Sequence, residues 1–144
     1  MESIRALLVL LMLGVMSCNI GPKPIAYGTD ACHFCKMTIV DKQHAAEFVT
    51  KKGKVYKFDA SECMLNQLKD FETDKVALFL VNDYASPGEL VDATKATFLI
   101  SNNLPSPMGE FLSAFESEQA AKQAKTGNEG QLFTWDQLLK KFNP

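Results

Sequence analysis

The chain is 144 residues long, 47 % hydrophobic and 22 % charged, with a formal net charge of −2 at pH 7. That near-neutral balance argues against nucleic acid or a polybasic membrane surface as the principal partner. The length suits one domain with a real core, and only four cysteines are present, so the place of each carries information.

The first stretch, MESIRALLVLLMLGVMSC, sets Arg5 before a short apolar run from Ala6 to Met16. That run is far shorter than the roughly 20 residues that span a bilayer. A charged start, a short apolar core and the small residue Ser17 describe a secretory signal peptide over residues 1–17. Cys18 follows directly, and a small residue then cysteine after such a core resembles a bacterial lipobox, where the Cys18 thiol is acylated and becomes the new N-terminus. Residues 18–28, rich in Gly and Pro, read as an exposed tether. The expectation is a protein outside the cytoplasm on a lipid anchor. With Cys18 lipidated, Cys32, Cys35 and Cys63 remain. An odd number of thiols in an oxidising compartment cannot all pair, so at least one is free or metal-bound.

Beyond the tether, Lys36–Val40 and His44–Thr50 read as strands around an Asp41-Lys42-Gln43 turn. Val55–Phe58 alternates as a half-buried strand after the Lys51-Lys52-Gly53 turn. Asp59 followed by Glu62 is a capping-box pattern, so a helix is expected there, with Met64, Leu65, Leu68 and Phe71 facing the core. Lys75–Asp83 and Thr97–Ser101 are further strands, and NNLPSPMG is a loop because its prolines and glycine exclude regular structure. Glu110–Phe115 reads as a strand, Ser117 caps a helix to about Thr126, Gln131–Thr134 is a strand and Asp136–Phe142 a closing helix. The expected class is α+β.

Residues 29–72 and 97–143 also resemble one another. Each runs from a Met (Met37, Met108) through an Ala-Ala pair to Gly-x-apolar-x-x-aromatic-Asp, then a helix ending Leu-x-x-Phe. This predicts two related ββα-type units packed as a single domain, with Met37 and Met108 meeting where the units face each other.

The segment ACHFCKM (31–37) holds two thiols, an imidazole and a thioether. C-type haem attachment needs His directly after the second cysteine, where Lys36 stands. A thiol-redox site would place its first cysteine at a helix N-terminus, whereas Cys35 leads into an apparent strand. A Cys32–Cys35 disulfide would close a very short loop and restrain little chain entropy. Structural zinc could take Cys32, Cys35 and Cys63 with His33 or His44, without the second cysteine pair of a zinc ribbon. A soft ion fits the donors better, since thiolate and thioether select Cu(I). Cys35 and Met37, two apart on a strand, would share one face, and Cys35 would be the only charged ligand. Met108, in a Pro-rich loop, has little packing reason to be there, whereas Met64 on a helix stripe reads as core filling.

The quoted segments CHFCKM, AAEFVTKKGKVYKFDASECM, SPMGEFLSAF and GQLFTWDQLL resemble the NosL family of lipid-anchored periplasmic copper chaperones, in matching order over nearly the whole mature chain. The resemblance implies two related α+β units, Cu(I) binding, and help in assembling the copper clusters of nitrous oxide reductase. It implies as ligands Cys35 and Met37, matching the family's Cys-x-Met, and Met108 as the second-half Met. Cys32, His33, Cys63 and Met64 stand as additional candidates. Implied partners are a copper exporter or Nos assembly complex, apo nitrous oxide reductase and the membrane through the anchor. The implied role is carriage by ligand exchange, not catalysis. Thiol-redox or structural-zinc modules, and a copper-scavenging or sensing lipoprotein, are the competing readings.

Overall fold

The computed structural model describes residues 19–143. The signal peptide over 1–17 and the lipidation site Cys18 lie outside the described residues. Two antiparallel sheets divide the strands along the chain. β1 (Ala46–Thr50), β2 (Val55–Phe58), β3 (Val76–Asn82) and β4 (Leu90–Asp92) form the first, in the order β2-β1-β3-β4. β5 (Thr97–Ile100), β6 (Leu112–Phe115) and β7 (Gln131–Phe133) form the second, in the order β6-β5-β7. The helices are α1 (Ser61–Gln67), α2 (Glu118–Asn128) and α3 (Trp135–Phe142).

β1 is central and buried along its whole length, as its Ala-Glu-Phe-Val-Thr sequence only partly suggests. Gly53 adopts φ 79° in the turn to β2, where its N–H donates to the Thr50 carbonyl at 2.8 Å. One apolar core then joins both sheets: Phe48, Phe58, Met64 and Leu65 from the first half pack with Phe98, Leu112, Trp135 and Leu138 from the second. Each large side chain fully buried there contributes on the order of 1.5–3 kcal/mol. A smaller cluster of Leu99, Leu104, Phe115 and Ala121 lies under α2. Gly130, at φ 109°, brings β7 so close to β5 that a Cβ would run into the Ile100 carbonyl.

The α+β class is as expected, and Ser117 caps α2 by accepting the Ala120 N–H at 3.2 Å. Four details differ. Lys36–Val40 is not a strand: only an Ala31–Thr38 bridge forms, and Lys36 adopts a left-handed φ of 67°. Residues 18–28 are not all exposed tether, since Ile25 is buried and the Lys23 N–H donates to Glu47 at 2.9 Å. The helix after Asp59 starts from Ala60, with no side-chain cap; Asp59 and Glu62 are both turned inward and buried. The second half does not mirror the first as a single ββα unit, because β5-β6-α2 is followed by a further β7-α3. The matched Ala pairs also diverge, with Ala46 opening β1 and Ala120–Ala121 lying in α2. What the halves do share is a positive-φ glycine, Gly53 or Gly130, leading through a strand into a helix.

Candidate metal centre

ACHFCKM folds back on itself. The Cys32 N–H donates to the Met37 carbonyl at 2.8 Å and the Lys36 N–H to the Cys32 carbonyl at 3.0 Å. A chain that turns this tightly after the second cysteine needs a left-handed residue, which Lys36 supplies. The strand reading fails for this reason, and with it the argument that Cys35 and Met37 share a strand face. The His33 N–H donates to the Lys57 carbonyl at 2.8 Å, which docks the loop on β2.

Docked there, the loop meets α1. The sulfurs of Cys32, Cys35 and Cys63 all lie within 4.8 Å of one another, with Cys32 and Cys63 buried and Cys35 half-buried. All three are free thiols. Cys32 is held down to about 4, first by the hydrogen bond from the Cys63 thiol, with the backbone N–H groups of Asp59 and Cys35 assisting against burial. Cys63 is pushed up, because its S–H donates to the Cys32 sulfur and the site is buried. Burial raises Cys35, opposed by the Met37 backbone N–H. The three titrate as one group in which the first proton leaves easily and the others are retained. A cation entering the cluster therefore meets a preformed thiolate and two thiols it must deprotonate.

Two buried carboxyls, Asp59 and Glu62, lie at the start of α1. Burial raises the Asp59 pKa, and the negative charge on Cys32 raises it further. Burial likewise raises Glu62, whose Oε1 accepts from the Ser106 hydroxyl while Oε2 has no partner. Neither carboxyl joins the sulfur cluster, and among the described residues no imidazole does. The donor set is therefore soft. It suits a thiophilic ion such as Cu(I), which accepts low and irregular coordination, better than an oxygen-seeking one.

The other predicted residues fall into three places. His33 is exposed and sets its ring edge-on to Tyr56 at 4.6 Å; burial and the nearby Lys36 and Lys54 charges lower its pKa. His44 is buried with both ring nitrogens engaged, Nδ1 to Asp41 at 3.0 Å and Nε2 to the Ser113 hydroxyl at 3.2 Å. This Asp-His-Ser chain ties the first sheet to β6, and Ser113 is fully buried, so it is a packing contact and not a nucleophile. Met64 is fully buried beside Cys63. Met37 is 54 % exposed on the thiol loop, and Met108 packs, partly buried, against the core that contains Cys32 and Cys63. Cys63 stands among the additional ligand candidates and the zinc candidates, but nothing in DASECM itself places it against Cys32.

A family model for NosL matches residues 25–142. The chain belongs to the NosL family. Among curated proteins, this NosL-family chain is 28 % identical to the copper-binding lipoprotein NosL of Stutzerimonas stutzeri, over 92 % of this chain and 77 % of that protein. Among solved structures, it matches the crystal structure of the copper chaperone NosL from Shewanella denitrificans with a TM-score of 0.71 and 23 % identity. That match covers 82 % of this chain and 95 % of the other, and it shows that the two share a fold. Among the described residues no helix is long and apolar enough to cross a membrane.

Proposed function

We propose that this chain is a Cu(I) carrier, with Cys32, Cys35 and Cys63 as the thiolate seat of the ion. The observation that carries the reading is the convergence of three sulfurs within 4.8 Å of one another from two separate elements. The similar proteins named as copper-binding and copper chaperone point the same way. Met37, exposed on the loop, and Met108, packed against the core that holds the thiols, are thioethers that would complete the site and leave first. Transfer runs by ligand exchange: an acceptor donor enters at half-buried Cys35, a thioether departs, and protons return to the thiols as Cu(I) leaves. Acylation of Cys18 holds the carrier on a membrane in the periplasm. The copper serves assembly of the copper centres of nitrous oxide reductase, received from an exporter or Nos assembly complex and passed to the apo-enzyme.

Anaerobic competition against a chromophoric Cu(I) chelator, with metal analysis of the purified chain, tests the binding. One Cu(I) per chain is expected, with Cys35→Ser and Cys63→Ser each weakening affinity by more than about tenfold. Stoichiometric zinc, or Cu(I) affinity indifferent to both substitutions, would contradict it. Mixing the loaded chain with apo nitrous oxide reductase tests delivery, and copper that stays on the chain would point to scavenging.

A further inference from the structure

Four large hydrophobic side chains are exposed among the described residues: Ile20, Phe34, Met37 and Val40. Phe34 and Met37 flank Cys35 on the thiol loop and Val40 follows it, and Cys35 is the cysteine among the described residues that solvent reaches. Exposed large apolar side chains grouped on one loop mark a surface that something covers.

The surface beside the loop is strongly basic. Lys51, Lys52, Lys54 and Lys75 line a cleft of about 510 Å³ floored by Tyr56 and Phe71. Lys54 Nζ stands 4.6 Å over the Tyr56 ring, and the His33 ring packs edge-on against the same tyrosine. Loop and cleft are thus one continuous face, and exposed Lys36 at the loop tip extends the basic arc to Cys35 and Met37. Asp74 also lines the cleft, and Glu72 is paired with Lys75. On a chain of net charge −2, this is a local reversal of sign.

We propose that this face docks a protein whose own copper-accepting site is rimmed by acidic residues. The inference rests on the Cu(I) reading above and deepens it. An apolar centre with a charged rim is the anatomy of a transient protein interface. The centre here lies on the loop that carries half-buried Cys35, where an incoming ligand must enter. Whatever seats on it has to bring a metal-binding group, which an acceptor protein carries and a lipid headgroup does not. Opposite charge on the acceptor's rim steers the encounter and orients its donor toward Cys35.

Stopped-flow Cu(I) transfer from the loaded full chain to two synthetic Cys-x-x-Cys peptides, one flanked by glutamates and one by lysines, tests the proposal. At low salt the glutamate peptide should accept Cu(I) about tenfold faster. The preference should vanish at high salt and in the Lys51→Glu, Lys52→Glu, Lys54→Glu variant, whose equilibrium Cu(I) affinity against a small chelator stays that of wild type. Equal rates for the two peptides in a chain that binds Cu(I) normally would overturn the docking proposal alone. Lysine-dependent binding to phosphatidylglycerol vesicles with no peptide preference would also overturn it and assign the face to the membrane. A chain that takes up no Cu(I) would refute the copper reading. Anisotropy of the labelled peptides on the apo chain then still decides the docking, with a preference for the glutamate peptide sustaining it and indifference overturning it.

Discussion

The Ser106 hydroxyl donates to the buried carboxylate of Glu62, and this bond joins the loop that carries Met108 to the helix that carries Cys63. Ser106 in turn accepts the Phe111 N–H at 2.9 Å. The loop needs such restraint, since Gly109 and Phe111 adopt φ of 77° and 60°. One side chain on α1 therefore ties down the loop that carries Met108 in the other half of the fold.

Removing the hydroxyl should be felt in both stability and copper binding. Ser106→Ala leaves Glu62 without a donor on a buried oxygen, which costs on the order of 1–3 kcal/mol in denaturant unfolding. If the bond acts by placing Met108, then Ser106→Ala and Met108→Ala weaken Cu(I) affinity separately, and the double variant no more than Met108→Ala alone. Strictly additive losses would show that the two residues act independently.

The thiol cluster should ionise one proton at a time. Ultraviolet thiolate absorbance of the apo chain is expected to show one thiolate already present at neutral pH and titrating well below the ordinary value of 9, because the Cys63 thiol donates to Cys32. In Cys32→Ser that low-pH step should vanish. Three thiols titrating together near 9 would contradict the hydrogen-bond order among them.

Away from the metal site, Glu47 gives a pH signature of its own. It is fully buried on β1, with Oε1 accepting the Lys23 N–H and Oε2 unpartnered. Burial raises its pKa above the ordinary 4.5, so the fold holds its proton more tightly than the unfolded chain does. Its contribution to stability is complete below about 4.5 and is lost as pH rises through the raised value. Wild type should therefore be less stable than Glu47→Gln near neutral pH, with the gap closing as the pH falls toward 4.5 in thermal melts. A gap that widens on acidification would reverse the sign of the argument.

Strand and helix content was legible where local pattern and tertiary demand agree, as in Val55–Phe58, Thr97–Ile100 and the Ser117-capped α2. It failed where the site imposes its own geometry. KMTIV has strand composition, yet closing Cys32 and Cys35 onto one point forces Lys36 into a left-handed turn. Asp59 and Glu62 have capping-box spacing, yet both are buried in the interior, and the helix starts from Ala60 uncapped. The reverse happened at α3, where the capping box is Thr134 with Gln137, one turn residue earlier than an Asp136 start. Three-residue β4 has too little chain to show a period. At the site, Cys35 was legible from its motif, but Cys63 converges through long-range packing that no local spacing encodes. The change is chemical as well: a centre with one charged ligand becomes one with three thiols in contact.

X-ray absorption of the Cu(I)-loaded full chain tests that centre most directly. The account predicts a first shell of sulfur alone, with one sulfur lost in Cys63→Ser. A nitrogen scatterer in the first shell, or a spectrum unchanged by Cys63→Ser, would contradict it.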